Sequence, residues 1–448
     1  MLEKEQINRY RRHIIMPEIS NSGQEKLLEA SVLVCGESSA DIMPLIMYLS
    51  AVGICSIYCQ INDTAESDSL FSDAMDLNTD LKIEQIKNHR DTDYRIILGS
   101  CDFIKESLNI NNKFVPTIIS SPSHWKMLIQ VFNNNQELSD FIKLLPKNKN
   151  KACTTHYTST ISGAICTIET VKLCLNIGKA CKDLLLIDLF NMKFNTFEKS
   201  KTQEALDRFF IHEKSIDFIT KEKISDTKVL IVGAGGLGSP AAIALSMYGP
   251  GTIGLVDSDK VELSNLNRQI LHSTSRIGMS KAESSKYLLK KLNPQININI
   301  HIENLNISNI EGIIKNYDLV ISAVDNIQTR YLINDYCYFM KKPMFEAGVS
   351  SFDGTCTTII PDNGHCYRCL YPNIEMDDAS CTETGVLGAV PGVIGFIQAA
   401  EAIKIASGMG NTLKNKMLLF DSLKMDFNVI SFKRNPECHL CGKNPSIL

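Results

Sequence analysis

Between Lys228 and Gln269 the chain reads KVLIVGAGGLGSPAAIALSMYGPGTIGLVDSDKVELSNLNRQ, and this stretch leaves little choice of fold. Lys228-Val229-Leu230-Ile231-Val232 is a short apolar, β-branched run, the pattern of a buried parallel strand. Gly233-Ala234-Gly235-Gly236-Leu237-Gly238 follows without a spacer. Such a run removes side chains where the chain must turn sharply and bring its backbone close to a phosphate. Ser239 to Tyr248 reads as a helix, whose N-terminal amides and dipole favour an anion. Ile253 to Val256 is a second strand, and Asp257 closes it, where an acid would meet a ribose hydroxyl. Strand, glycine turn, helix and strand together predict an α/β protein with a Rossmann-like, doubly wound sheet.

A glycine turn alone also fits a dehydrogenase or a mere tight turn. The residues after the second strand narrow the choice. Asp257-Ser258-Asp259 leads into Leu263-Ser264-Asn265-Leu266-Asn267-Arg268-Gln269, then Gly278-Met279-Ser280-Lys281. A nicotinamide has no evident use for Asp, Asn, Arg and Lys gathered this way. A nucleoside triphosphate with magnesium does: cations neutralise phosphate oxygens and a carboxylate holds the metal. Further on, Asp318 to Asn326 reads as a strand ending in Asp-Asn, which places that pair at the carboxyl edge of the sheet. Asp325 is the candidate Mg2+ ligand, with a helix cap as the alternative.

A chain of 448 residues with 44% hydrophobic content can core two domains. A net charge of -4 points to neither nucleic acid nor an anionic membrane. The fifteen cysteines, behind a polar opening Met1-Leu2-Glu3-Lys4-Glu5, read as thiols of a reducing cytoplasm. Val229 to Val256 is uncharged, yet its glycines, with Pro240 and Pro250, argue against a membrane span. Cys366-Tyr367-Arg368-Cys369 and Cys438-His439-Leu440-Cys441 are paired knuckles whose four thiolates suit tetrahedral Zn2+. Redox pairs are the alternative.

The chain also repeats itself. Gly163-Ala164-Ile165-Cys166-Thr167-Ile168-Glu169-Thr170-Val171-Lys172 parallels Gly395 to Lys404, and Leu185 to Phe194 parallels Leu418 to Phe427. The polar linker Glu198 to Gln203 divides a first domain, residues 1–200, from a second, residues 201–448. In the first copy the strand Ser31 to Gly36 is followed by Glu37, Ser38, Ser39, Ala40 and Asp41, not by glycines. Its next strand, Ile54 to Cys59, lacks the Asn-Leu-x-Arg-Gln segment, so the first copy is expected to have lost its nucleotide site. Weaker strands at Tyr94 to Leu98 and Val115 to Ser120 fit a shrunken α/β domain and disclose no chemistry. His124 and His156 read as structural, and Trp125 as packing.

The glycine turn, the Asn265 to Gln269 segment and Lys281 resemble the adenylyltransferases that activate ubiquitin-like sulfur carriers, the ThiF and MoeB group, relatives of ubiquitin-activating enzymes. The resemblance covers residues 205–448, and a decayed copy covers much of residues 1–200. It implies that ATP is bound by Gly233, Gly235, Gly236 and Gly238 at the phosphates and by Asp257 at the ribose. Asp259, Asn265, Arg268 and Lys281 would complete the nucleotide site, and Asp325 would hold Mg2+. Asn8 to Ile19 resembles the family's N-terminal arm, in which an arginine reaches ATP in the neighbouring protomer; that position here is Arg12. The second copy opens with Asp207-Arg208-Phe209-Phe210-Ile211-His212, with Ile211 where Arg12 stands. The complementary losses imply an intrachain pseudo-dimer with one ATP site completed by Arg12; independent decay is the alternative. The family's wide cysteine pairing implies a structural Zn2+ site. Cys381 resembles the family's loop cysteine, which in some members takes up the activated acyl group, although Asp377 and Asp378 would raise its pKa.

The acyl substrate implied is the C-terminal carboxylate of a small ubiquitin-like carrier with a Gly-Gly end, ThiS- or MoaD-like. A ribosomal precursor peptide or another protein modifier is the alternative, with the first copy as a peptide-binding module. The sequence stops at Leu448 soon after Cys441, so sulfur would come from a separate donor protein. Further homodimerisation stays open. A scaffold leaves Arg268, Lys281 and Asp325 unexplained. A reductase using Tyr338 and Lys342 meets Pro343 directly after the lysine.

Overall fold

The structure, a computed structural model, describes residues 1–62, 67–87, 90–108, 114–146, 156–210, 224–362, 364–372 and 384–447. It builds one strand order twice. The first sheet holds β1 (Ser31–Gly36), β2 (Ser56–Ile61), β3 (Lys82–Gln85), β4 (Tyr94–Leu98), β5 (Thr117–Ser123), β6 (Lys126–Phe132), β7 (Leu184–Asp188) and β8 (Lys193–Phe197). Their order is β3-β2-β1-β4-β5-β6-β7-β8, parallel as far as β5 and antiparallel beyond it. The second sheet holds β9 (Lys228–Val232), β10 (Thr252–Val256), β11 (Asn297–His301), β12 (Leu319–Ser322), β13 (Met344–Ser350), β14 (Asp353–Ile359), β15 (Lys416–Asp421) and β16 (Asp426–Ser431). Its order, β11-β10-β9-β12-β13-β14-β15-β16, is the same. The winding reverses beside β1 in one sheet and β9 in the other, and a crevice opens there at the strands' carboxyl ends.

The expected two-copy α/β architecture is therefore present. The first sheet is not shrunken in strands; its connections are shorter. The chain passes from β10 to β11 through residues 257–296, but from β2 to β3 through residues 62–81. The strand expected at Ile54 starts at Ser56 because the Ile54 N–H is spent closing the preceding helix onto Leu49 O, after Gly53 at φ +99°. The strand expected from Val115 starts at Thr117, after Pro116, which has no N–H to give a ladder. Trp125 is buried, edge-on to Phe190 at 6.1 Å and beside Tyr248 at 6.4 Å, a packing role as expected.

The long helices His156–Leu175 and Val390–Ser407 pack against each other and join the halves. Val390–Ser407 is apolar and long enough to cross a membrane, but 89% of that stretch is buried in the protein. Lys172 Nζ donates to Glu169 at 2.6 Å and crosses to Ser422 O at 3.2 Å. Lys404 Nζ pairs with Glu401 at 2.5 Å and crosses back to Leu189 O at 2.8 Å. Lys179 N–H donates to Leu423 O, and Asn411 N–H to Phe190 O, both at 2.7 Å. Phe194 and Phe427, matched positions of the repeat, stack at 4.7 Å and 7°. Each contact has its reciprocal, the mark of an isologous interface about a two-fold axis, here within one chain.

These ion pairs are sealed: both partners of Lys404–Glu401 are 0% exposed. Lys404→Met strands the Glu401 charge, so stability is expected to fall by about 3–5 kcal/mol, read as a lower urea midpoint. Adding Glu401→Gln should restore most of it, because the uncompensated charge is then gone.

Candidate active site

A cleft of about 420 Å3 lies over the carboxyl ends of β9, β10 and β12. Its floor is the glycine turn. Gly233 sits at φ +97°, and a Cβ there would come within 2.6 Å of Ala323 O. A Cβ on Gly238 would lie 1.8 Å from Gly233 O, so only glycine lets the helix Gly238–Tyr248 start tight against the strand. Gly235 and Gly236 present bare backbone to the cleft; a Cβ on Gly236 would press on Pro391 at 3.3 Å, whereas one on Gly235 would meet only Gln269 Nε2 at 3.5 Å. Gly238 closes the turn from behind, against Gly233 O.

Asp257, at the end of β10, accepts the Ala234 N–H at 2.7 Å and the Asp259 N–H at 2.9 Å. Burial pushes its carboxyl up, and Lys281 opposes that. Lys281 opens the helix Lys281–Leu292 and is almost buried, with its ammonium 2.8 Å from the exposed Asp259 carboxylate. The glycine backbone, Asp257, Asp259 and Lys281 thus face one space.

Arg268 is held by Ser264 O and Asn267 Oδ1, each at 2.9 Å. Burial, and then the neighbouring Arg12 guanidinium, push its pKa down to about 10, while Asp325 pulls the other way. Two guanidiniums sharing one cleft favour an anion between them. Asn265 does not line the cleft. Its Oδ1 accepts the Glu262 N–H at 3.1 Å, and its carbonyl accepts the amides of Arg268 and Gln269. It shapes the turn that throws Arg268 forward.

Arg12 enters from the first half, in the short helix Arg11–Ile14. Its Nη1 donates to Thr384 O at 2.9 Å, and its carbonyl accepts the Val386 N–H at 3.1 Å. It lines the second half's cleft. Asp325 is exposed at the cleft edge. The cap of the helix Ile327–Phe339 belongs to its neighbour Asn326, whose Oδ1 accepts the Thr329 N–H at 2.8 Å, so Asp325 is not the cap. In the first half, after β1, Glu37 accepts from the Ser100 N–H at 2.9 Å and hydroxyl at 3.2 Å. Asp41 lies buried there, accepting from Ser38 and Ser159. Carboxylates thus stand where the second half has bare glycine backbone.

Two cleft features escape sequence reasoning. Arg330 lines the cleft, ion-paired to the buried Glu346 and bonded to Val324 O at 2.8 Å. His272 is buried behind the glycine turn. Its Nε2–H donates to Ala234 O at 3.0 Å, and its Nδ1 accepts from Ser284 at 3.0 Å. Burial holds it neutral, with a pKa near about 3. Nothing in the sequence marks a lone histidine as the support of a loop nearly forty residues away. Cys381, Asp377, Asp378 and Ile211 lie outside the described residues.

Cys366, Cys369, Cys438 and Cys441 bring all four Sγ atoms within 4.8 Å of one another. Cys366 lies 3.5 Å from Cys438, Cys369 lies 3.2 Å from Cys441, and the Cys366–Cys369 pair is 3.9 Å apart. Zinc with Zn–S of about 2.3 Å sets sulfurs about 3.8 Å apart. The soft donor set and its spacing fit zinc. The gathering of both knuckles into one cluster disfavours two separate redox pairs. With no position left for substrate, such a site is structural.

A bare glycine turn, two arginines, a lysine and a carboxylate thus meet in one cleft on a doubly wound sheet. Residues 209–440, more than half of the chain, match the ThiF family, and the protein belongs to that family. It is 45% identical over 228 residues to "Adenylyltransferase and sulfurtransferase MOCS3" of Drosophila ananassae, covering 50% of this chain and 51% of that one. The protein of the same name from Culex quinquefasciatus is 41% identical over 228 residues, covering 50% and 52%. The chain thus spans about half the length of the curated relatives it matches. Among solved structures, E. coli MccB with MccA-N7isoASN is 21% identical, with a TM-score of 0.46, covering 73% of this chain and 98% of that chain. E. coli MccB with succinimide is 18% identical at the same TM-score and coverage.

Proposed function

We propose that the protein adenylates the C-terminal carboxylate of a small ubiquitin-like sulfur carrier with a Gly-Gly end, using ATP and Mg2+. The observation that carries this is the convergence of Arg12 from the first half with Arg268, Lys281 and Asp325 from the second, over the bare backbone of Gly235 and Gly236. Relatives named as adenylyltransferase and sulfurtransferase support it. In this reading the first half has given up its nucleotide site and serves as the arginine arm.

The carrier carboxylate attacks the α-phosphorus, the bond to pyrophosphate breaks, and an acyl-adenylate forms. The protein's part is to position and neutralise. The glycine turn cradles the phosphates, Asp257 takes the ribose, and Arg12, Arg268 and Lys281 meet the charge that develops on the oxygens. Asp325 would hold Mg2+, which supplies further neutralisation when bound. The zinc cluster sits apart and holds the fold. None of the described cysteines is joined in a disulfide, which suits a reducing cytoplasm.

ATP–pyrophosphate exchange tests this. Exchange should depend on a Gly-Gly-ended carrier and fall on the order of a hundredfold in Arg12→Ala. Exchange with a short precursor peptide and with no carrier would overturn the carrier assignment. Exchange that survives Arg12→Ala would overturn the cis arginine.

A further inference from the structure

His13, next to the cleft arginine, is 0% exposed, and its bonds cross between the halves. Its Nε2 accepts the Gly388 N–H of the second half at 3.0 Å. A backbone N–H can only donate, so the ring proton sits on Nδ1. Nδ1–H donates to Gln24 Oε1 at 2.9 Å, and Gln24 Nε2 donates to Val52 O at 3.0 Å. One chain of bonds therefore runs from the second half's backbone through the imidazole into the first half's core. Burial supports the assignment: it pushes His13 down to about 4, so the ring is neutral at pH 7 and keeps its acceptor lone pair.

The seat is shaped for this contact. A Cβ on Gly388 would lie 1.9 Å from Asn267 O, and Asn267 is the residue whose side chain holds Arg268. A Cβ on Gly385 would come 2.8 Å from Arg12 O. The strip from Thr384 to Gly388 thus touches Arg12, His13 and the Arg268 turn. It binds the arm at Arg12 Nη1, Arg12 O and His13 Nε2.

We infer that His13 is a positioning residue: its bond to Gly388 fixes the arm on the second half and so sets where the Arg12 guanidinium lies in the cleft. This rests on the reading of Arg12 as the cis arginine. An apolar filler of similar size keeps the core volume but loses the acceptor. Gln keeps an acceptor near the Nε2 position.

The test is ATP–pyrophosphate exchange on the full chain with a Gly-Gly carrier, for Arg12→Ala, His13→Leu, His13→Gln and Arg12→Ala/His13→Leu. His13→Leu should lower kcat on the order of tenfold with a smaller change in the KM for ATP, because Arg12 is misplaced where charge develops. His13→Gln should restore most of that loss. In the Arg12→Ala background His13→Leu should change nothing further, since its effect passes through Arg12. An unchanged His13→Leu, or a loss that multiplies fully with Arg12→Ala, would overturn the inference while leaving the cis arginine standing. A full-rate Arg12→Ala would overturn the arginine reading itself. A His13→Leu that fails to fold makes His13→Gln and His13→Asn decisive. Gln should be active and Asn, which reaches only the Nδ1 position, impaired; the reverse order would sink the idea.

Discussion

Arg268→Ala is expected to lower ATP–pyrophosphate exchange on the order of a thousandfold, a barrier increase of about 4 kcal/mol. The magnitude follows from where the guanidinium lies. It is pinned by Ser264 O and Asn267 Oδ1, so it needs no reorganisation when phosphate arrives. It is also partly desolvated, where a charge acts more strongly than in water. Arg12 beside it pushes its pKa down, an electrostatic cost that an anionic ligand removes. Lys at this position should recover little, because a single ammonium cannot reproduce the two bonds that hold the fork while facing phosphate. Circular dichroism checks that the fold persists, and exchange kinetics read the loss. A variant within tenfold of wild type would remove Arg268 from the chemistry.

Stripping the four-cysteine cluster of metal is expected to lower the melting temperature on the order of 10 °C. Cys366 and Cys438 are buried with their sulfurs 3.5 Å apart, and Cys441 sits in the same small core as Tyr367, Leu440 and Met344. After β16, Cys438, Leu440 and Cys441 enter this core, and the Asn435 N–H donates to Cys369 Sγ at 3.4 Å. Structural zinc contributes about 10–16 kcal/mol in isolated fingers, and a fraction of that suffices for the shift expected here. Elemental analysis should give one zinc per chain. Cys366→Ser should lose both the metal and the stability, while exchange at low temperature drops far less than in Arg268→Ala. An unchanged melting curve after complete chelation would refute the structural role.

Much of this was legible in the sequence because the second half's signals are local. A β-branched run, a glycine turn and a terminal acid fix β9, the turn and β10, and β9 falls on Lys228–Val232 as expected. The repeat between Gly163–Lys172 and Gly395–Lys404 anticipated the two joined copies, because a buried Lys–Glu pair three residues apart survives in both helices. What stayed hidden depends on distant partners. Glu37 reads as a misfit in a glycine loop until Ser100 is seen to hold its carboxylate. Asn265 sits in a polar cluster, and sequence cannot tell the residue that shapes a turn from the one the turn presents. Asp325 and Asn326 are adjacent acid and amide, and only the helix axis decides which one caps. His13 and His272 carry no periodicity at all; their partners lie on other elements.

The reciprocal contacts between the halves have a consequence for how such a protein behaves in dilute solution. Where two separate chains must meet to bring an arginine to a phosphate, catalytic capacity falls as the concentration drops below the dimerisation constant. Here the interface closes within one polypeptide, so its effective concentration is fixed by the linker between the halves. Specific activity should therefore stay constant down to very low enzyme levels. On the function proposed above, the described residues of one chain offer one cleft lined by Arg12, Arg268 and Lys281. In a homodimer one substitution alters both subunits at once, whereas here it alters one half alone.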